Sequence, residues 1–385
     1  MVYGERIRQV REMHRMTQAD LIKEVPSLTQ SRLSRIEKDL ATIDEESLAL
    51  VAALTGVAVG FFARPPTPGF SVLSPQMRSR SRLTQGEKSA ALQWARLVDE
   101  EYQHLRSGAR ALPVRLRRTP GATPAEAAAE ARKILGFSPH QPLPYLILAA
   151  ERAGVTVLGL PYAIETLDAF CAWRRGEPVI ALLGGVPADR VRFSVAHEIG
   201  HLLLHQPGQT GPGIEAEADM FAAELLTPLA ALRGVMPHNP TLSALVMLKT
   251  IWGVSVKSLV RRAKELGAVD GDRALSLYKQ MSSRGWNKRE PGYVAPEKPR
   301  ALRKMAEIVH GPAIRTERFA AMAAWSEELA LDVLAQHASP DELPHEPAAT
   351  KHEPAATKHQ PAPAKQVTGY ANVIPLRPRA LPSGG

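Results

Sequence analysis

The sequence predicts a multidomain chain: an all-α N-terminal domain, then a mainly α, α+β domain with a small sheet, then a disordered tail. Three observations carry this. Residues 1–62 show short runs of helical apolar spacing with capping residues between them. "VTVLGL" and "DAFCAWRRGEPVIALL" are β-branched or apolar strand runs, the second with a turn near Arg175-Gly176-Glu177, and long helical segments flank them. From residue 341 onward Pro and Ala alternate with charge, and "HEPAATK" occurs twice in succession.

At 385 residues the chain is long enough for two or three domains. Aromatics are 5%, so aliphatic helix packing carries the core. The net charge of +9 suits a polyanionic partner without proving one. The single cysteine, Cys171, excludes an internal disulfide and sits in "AFCAW" as a small core residue. No run approaches the roughly 18 to 20 apolar residues of a bilayer span. The N-terminus has no signal-peptide core. The expectation is a cytoplasmic protein with no membrane partner.

In the first domain, residues 1–62, "ERIRQVREMHR" opens a helix and Thr17 caps "QADLIKE". Pro26 breaks the pattern, and "TQSRLSRIEKDL" begins a third helix. Asp44 caps "EESLALVAALT", with acids in its first turn and Gly56 as its stop, and "AVGFF" is a short fifth helix. Residues 63–118 form a basic linker and helix. From Arg64 to Arg118 there are eleven Lys/Arg against four Asp/Glu, while residues 1–62 hold eight against nine. Residues 119–295 are the α+β domain. Residues 296–340 are a C-terminal helical segment to which no role is assigned, with "ERFAAMAAWSEELALDVLAQH" read as one helix. Residues 341–385 are the tail, whose His345, His352 and His359 are poor metal ligands for want of preorganisation.

The chemistry centres on "RFSVAHEIGHLLLH", residues 192–205. His197-Glu198-Ile199-Gly200-His201 fits H-E-x-x-H on a helix: residues four apart share a face, so both imidazoles can hold one Zn²⁺. Glu198 is placed to act as general base toward a water at the metal. His205 is eight residues from His197, about 12 Å along a straight helix, so it is read as structural or as a partner to a ligand. A third ligand is expected from "GIEAEADMFAAELLTP". Glu215 and Asp219 share a face there, so Glu215 can bind metal while Asp219 orients a histidine. Glu217 is rotated away from Glu215, yet it and Asp219 remain alternative ligands. "EPVIALL", just before the HEIGH helix, is read either as an edge strand for substrate or as an ordinary core strand.

These two segments, with "VSVKSLVRRAKELG" and "LYKQMSSRGWNKREP", resemble the ImmA/IrrE family of zincin metallopeptidases over roughly residues 70–295. The resemblance implies a zincin-like fold, Zn²⁺ as cofactor, His197, His201 and Glu215 as ligands, and Glu198 as base. Family members cleave, or are proposed to cleave, a protein regulator, typically a repressor. No transition-state His or Tyr donor is identified.

Residues 4–62 resemble the Cro/C1-type (Xre) helix-turn-helix family, on Thr-Gln opening helix two, a short turn, and a Gln/Ser/Arg-rich helix three before "IEKDL". That implies double-stranded operator DNA as partner. Gln30, Ser31, Arg32, Ser34 and Arg35 would face the bases, and Gln18 a phosphate. Asp39 departs from the pattern: it stands where a helix-ending glycine is common. The near-neutral charge of the segment predicts that binding needs a homodimer or the basic segment after it. The expected function is a DNA-binding regulator with a fused zinc endopeptidase that cleaves a protein partner or itself. The alternative is a non-enzymatic transcription factor whose zinc domain senses or binds a partner regulator without cutting it.

Overall fold

The computed structural model describes residues 1–73, 83–108, 112–207, 209, 211–311 and 314–337. The tail and part of the basic linker, both assigned above, lie outside the described residues. The N-terminal part holds α1 (Gly4–Met13), α2 (Gln18–Glu24), α3 (Gln30–Ile36), α4 (Glu45–Thr55) and a 3-10 turn at Val59–Ala63. The sequence signals for their ends operate as local chemistry. Thr17 and Asp20 form a reciprocal capping box. The Asp44 carboxylate accepts from Ser47 N–H, and Gly56 takes the left-handed conformation with φ 69°. Asp39 also turns left-handed, at φ 59°, where glycine would be at ease. Its carboxylate accepts the Gly4 N–H at 2.7 Å, a compensation that glycine could not offer.

A 23-residue helix, α5 (Gln85–Ser107), follows, capped by Thr84 and Glu87. It packs along α1: Trp94 donates to the Met13 carbonyl at 3.0 Å, and the buried Arg6 guanidinium pairs with Glu100 at 2.7 Å. Next come α6 (Pro124–Ile134) and α7 (Leu146–Arg152), then β2 (Thr156–Gly159), β3 (Ala169–Arg174) and β4 (Glu177–Leu182), with a short β1 at Ser71–Val72. The β3–β4 hairpin turns on Arg175 and Gly176, at φ 49° and 83°, the left-handed pair that matches strand twist. The sheet order is β1-β3-β4-β2, with β2 parallel to β4 and the other pairs antiparallel. This corrects the edge-strand expectation for "EPVIALL": β4 is paired on both sides and offers no free edge.

The sheet divides two cores by the alternation of its side chains. Leu158, Phe170, Val179 and Ala181 join one cluster with α1–α5, while Val157, Cys171, Ile180 and Leu182 join another. The second cluster is completed by α8 (Ala188–Leu204), α9 (Pro212–Leu226), α10 (Leu229–Arg233), α11 (Leu242–Trp252), α12 (Val256–Glu265) and α13 (Gly271–Ser283). Among the described residues no single helix is long and apolar enough to cross a membrane.

The C-terminal segment contains α14 (Ala301–His310), α15 (Thr316–Ala323) and α16 (Glu327–Ala335). The sequence reads as one continuous helix across the last two, but Ala324 is left-handed at φ 56° and Ser326 caps a new helix. The break lets Trp325 bury itself and bridge to Val57. Ser326 N–H donates to the Gly56 carbonyl, and Ala58 N–H to that of Ala324. Residues 301–335 thus close the core begun by the N-terminal helices.

Carboxylates at helix starts tie these layers together. Glu297 accepts from Ile147 N–H at the start of α7, and Glu151 accepts from Arg300 and Ala301 N–H at the start of α14. Burial raises the Glu151 carboxyl to about 7 from its ordinary 4.5, against the opposing pull of those two N–H groups. Because the folded pKa is raised, the stabilisation is complete below pH 4.5 and is lost as pH rises through 7. Glu151→Gln is therefore expected to match the wild type near pH 4 and to exceed it at pH 8 by about 3 kcal/mol. Urea denaturation at the two pH values checks this; a difference independent of pH would refute it.

Candidate metal centre

The site forms where α8 crosses α9. Val195, Ala196, Ile199, Leu202 and Leu203 bury one side of α8. Gly200, the glycine of HEIGH, admits α9 at close range: a Cβ there would meet Phe221 at 3.0 Å. That approach sets the acidic face of α9 against the imidazoles of α8.

His197, His201 and Glu215 converge, with one donor atom from each lying within 4.8 Å of the others. The two Nε2 atoms face each other at 3.0 Å. Glu215 oxygens stand 3.4 Å from His197 Nε2 and 3.6 Å from His201 Nε2. Asp219 joins them from one turn further along α9, 2.9 Å from His197 Nδ1. Since a carboxylate only accepts, His197 Nδ1 carries the hydrogen.

His205 and Glu217 complete the arrangement in a way the spacing concealed. The helix ends at Leu204, and His205 has extended backbone with φ −109°. Its ring therefore leaves the straight-helix path and reaches His201, Nδ1 to Nδ1, at 2.9 Å. Its Nε2 lies 3.0 Å from Glu217. Glu217 accepts, so His205 Nε2 donates, and a neutral His205 then accepts at Nδ1 from His201 Nδ1–H. The chain Glu217–His205–His201 thereby turns the His201 Nε2 lone pair toward His197 and Glu215. Such outer partners usually matter 10- to 100-fold in metal affinity, so His205→Ala is expected to raise the zinc Kd by about that factor. Competition with a chelating dye measures it; an unchanged Kd would show that the chain does not orient His201.

The donor set fits a divalent cation. Glu215 Oε1 is buried with no hydrogen-bond partner among the described residues, a state that normally calls for an ion or water. Two imidazole nitrogens and a carboxylate, each oriented from behind, suit zinc and leave a coordination position open. The same carboxylates also favour a proton on His197. Burial opposes charge on His197, but Asp219, Glu215 and Glu198 outweigh it and push the ring up to about 10. Cation and proton compete there, so metal affinity falls as pH falls.

A cavity of about 260 Å³ opens on this cluster, lined by Glu198, His197, Glu215 and Asp219 together with Asp168, Arg190, Phe193 and Ser194. Sequence reasoning passed over Asp168. It holds Arg190 at 2.5 Å and accepts from the Ser194 hydroxyl at 3.1 Å, fixing the rim where β3 begins. Neither a Tyr nor another His lines this cavity among the described residues; the side-chain donors beside the imidazoles are Arg190, Ser194 and Thr166.

The residues expected to face DNA are placed separately on the N-terminal helices. Gln30, Ser31 and Arg35 are exposed, and Arg32 and Ser34 are half-buried. Arg32 pairs with Asp44 at 3.2 Å, and Arg35 reaches the Leu40 carbonyl. Gln18 is directed inward: its amide donates to Glu37 at 2.9 Å, beside the Arg11–Glu37 ion pair.

A small mixed sheet, a helix bearing H-E-x-x-H and a second helix supplying a carboxylate define a metallopeptidase-like domain. Residues 150–264 match the family model Peptidase_M78, the IrrE N-terminal-like domain. The match covers less than a third of the chain, contains His197, Glu198, His201, Glu215 and Asp219, and includes none of residues 1–149. No curated protein matches the chain significantly.

Proposed function

We propose that this protein is a DNA-binding transcriptional regulator carrying a zinc-dependent endopeptidase that cleaves a protein regulator, either a repressor or the chain itself. The observation that carries the reading is the convergence of His197, His201 and Glu215, with His197, Glu215 and Glu198 lining one cavity. When bound, zinc supplies Lewis acidity at the scissile carbonyl. The chain's own groups do the rest. Asp219 and His205 hold the two imidazoles in the tautomer that presents Nε2. The Glu198 carboxylate takes a proton from the attacking water and delivers it to the amide nitrogen as the C–N bond breaks. Arg190, anchored by Asp168 at the rim, orients the substrate backbone. The experiment is co-expression with repressors encoded beside this protein, followed by intact-mass analysis and elemental analysis for zinc. Repressor fragments that require the zinc-loaded protein support the reading, and intact repressors throughout count against it.

The DNA-binding half of the proposal rests on the exposed Gln30, Ser31 and Arg35 along α3, with Arg32 beside them. Arg32→Ala/Arg35→Ala is expected to weaken operator binding tenfold or more, at about 1–3 kcal/mol per base-contacting side chain. Selection of bound sequences from a random duplex library, then titration of the variant, measures this. Undiminished binding by the double variant would place the DNA contacts elsewhere.

A further inference from the structure

A second cavity, of about 760 Å³, lies against the first. Arg190 and Phe193 line both, so the two cavities adjoin at these side chains. We infer that this extension binds an acidic, aromatic-containing segment of the protein substrate. The inference rests on the peptidase reading for its occupant being a substrate.

Charge is the first argument. Five cationic and two acidic side chains line the extension. The two acids, Asp189 and Glu290, are already engaged. The buried Lys249 ammonium holds both, at 2.6 and 2.9 Å, and Glu290 also accepts from the Val256 and Lys257 N–H groups at the start of α12. Arg190 is paired with Asp168. That leaves Lys257, Lys288 and Arg289, all exposed and without an ion pair among the described residues. Unpaired cations in the lining attract carboxylates and disfavour a basic segment.

Apolar surface is the second argument. Phe193 stands at the junction of the two cavities, Trp286 is half-buried in the wall, and Tyr293 is 75% exposed. Aromatic rings held on one side and open on the other are the surfaces that extended peptides use as anchors. The reacting groups lie at one end, so a segment in the extension would emerge from the scissile bond. A polypeptide satisfies both the cleft and the site it leads into, whereas nucleic acid would bring no amide to Glu198.

The test uses the full chain carrying Glu198→Gln, which removes the base and leaves the groove intact. Two short fluorescent peptides of Gly and Phe, one with Glu and the other with Lys between them, are titrated by anisotropy, beside a single-stranded DNA of similar length. The Glu peptide is expected to bind at least tenfold more tightly than the Lys peptide. Its affinity should fall about tenfold in Lys257→Glu/Lys288→Glu/Arg289→Glu and weaken with salt. Circular dichroism confirms that the triple variant is folded, and Lys288→Glu/Arg289→Glu replaces it otherwise. Equal binding of the two peptides, binding indifferent to the charge reversal, or binding of the DNA alone overturns the inference. Cleavage is read separately with the wild-type protein. Charge-sensitive binding without any cleavage upholds the groove and removes the peptidase reading, and cleavage without acidic preference does the reverse.

Discussion

Glu198→Gln is expected to keep its zinc and to lose peptide cleavage by about 100- to 10,000-fold, the usual worth of a positioned general base. Glu198 lines the cavity but is not among the three side chains whose donor atoms converge. The substitution preserves the shape of the side chain and removes its capacity to take a proton. Metal content and thermal stability should therefore match the wild type while turnover falls. If the variant lost zinc along with activity, Glu198 would belong to the metal's own shell. If turnover survived, another group would be taking the proton, and the two neighbouring carboxylates already have roles at the imidazoles. Glu215 faces both imidazoles, and Asp219 is bonded to His197.

Glu215→Ala should act on the other half of the chemistry. It removes the only carboxylate among the three converging groups and leaves two imidazoles to hold the ion. Zinc affinity is expected to fall by more than about 100-fold, and cleavage to vanish at ordinary zinc concentrations. The wild type should also gain thermal stability on loading, by about 4 kcal/mol at a thousandfold excess of zinc over its Kd. The variant should show no such gain over the same range. His197 offers a second readout, because the Glu215 carboxylate is one of the groups that raise its pKa. In the metal-free variant, histidine NMR should find that ring titrating lower than in the wild type. A variant that still loads zinc tightly would transfer the ligand role to Asp219 or Glu217.

Much of this site could be read from the sequence, and the reasons are local. The helix period alone puts His197 and His201 on one face, and likewise Glu215 and Asp219. The Arg175-Gly176 turn and the caps at Thr17 and Asp44 involve residues adjacent in the chain, so their chemistry is written beside them. What escaped depends on where an element stops or what it meets. His205, too far along a straight helix to ligate beside His197, is read as structural or as a partner to a ligand; which ligand it serves is decided by the helix ending at Leu204, where the ring bonds His201. Glu217 pointed away from Glu215 as expected, but toward a histidine whose position the helix end decides. Asp39 takes the conformation of a glycine because the Gly4 N–H, 35 residues away, bonds its carboxylate. The position of β4 inside the sheet, the closure of the N-terminal core by residues 301–335, and the groove joining Phe193 to Trp286 all come from distant segments meeting. Helical periodicity carries no information about such encounters.

Cleavage of a peptide bond under the control of Glu198 is the claim on which the rest depends. The most direct measurement is a comparison of protein N-termini in cells expressing the wild type and cells expressing Glu198→Gln, labelled chemically and read by mass spectrometry. The account predicts a small set of new N-termini with the wild type alone, with acidic residues enriched on one side of the cleaved bonds. Identical N-termini in the two cultures, with both proteins folded and loaded with zinc, would contradict it.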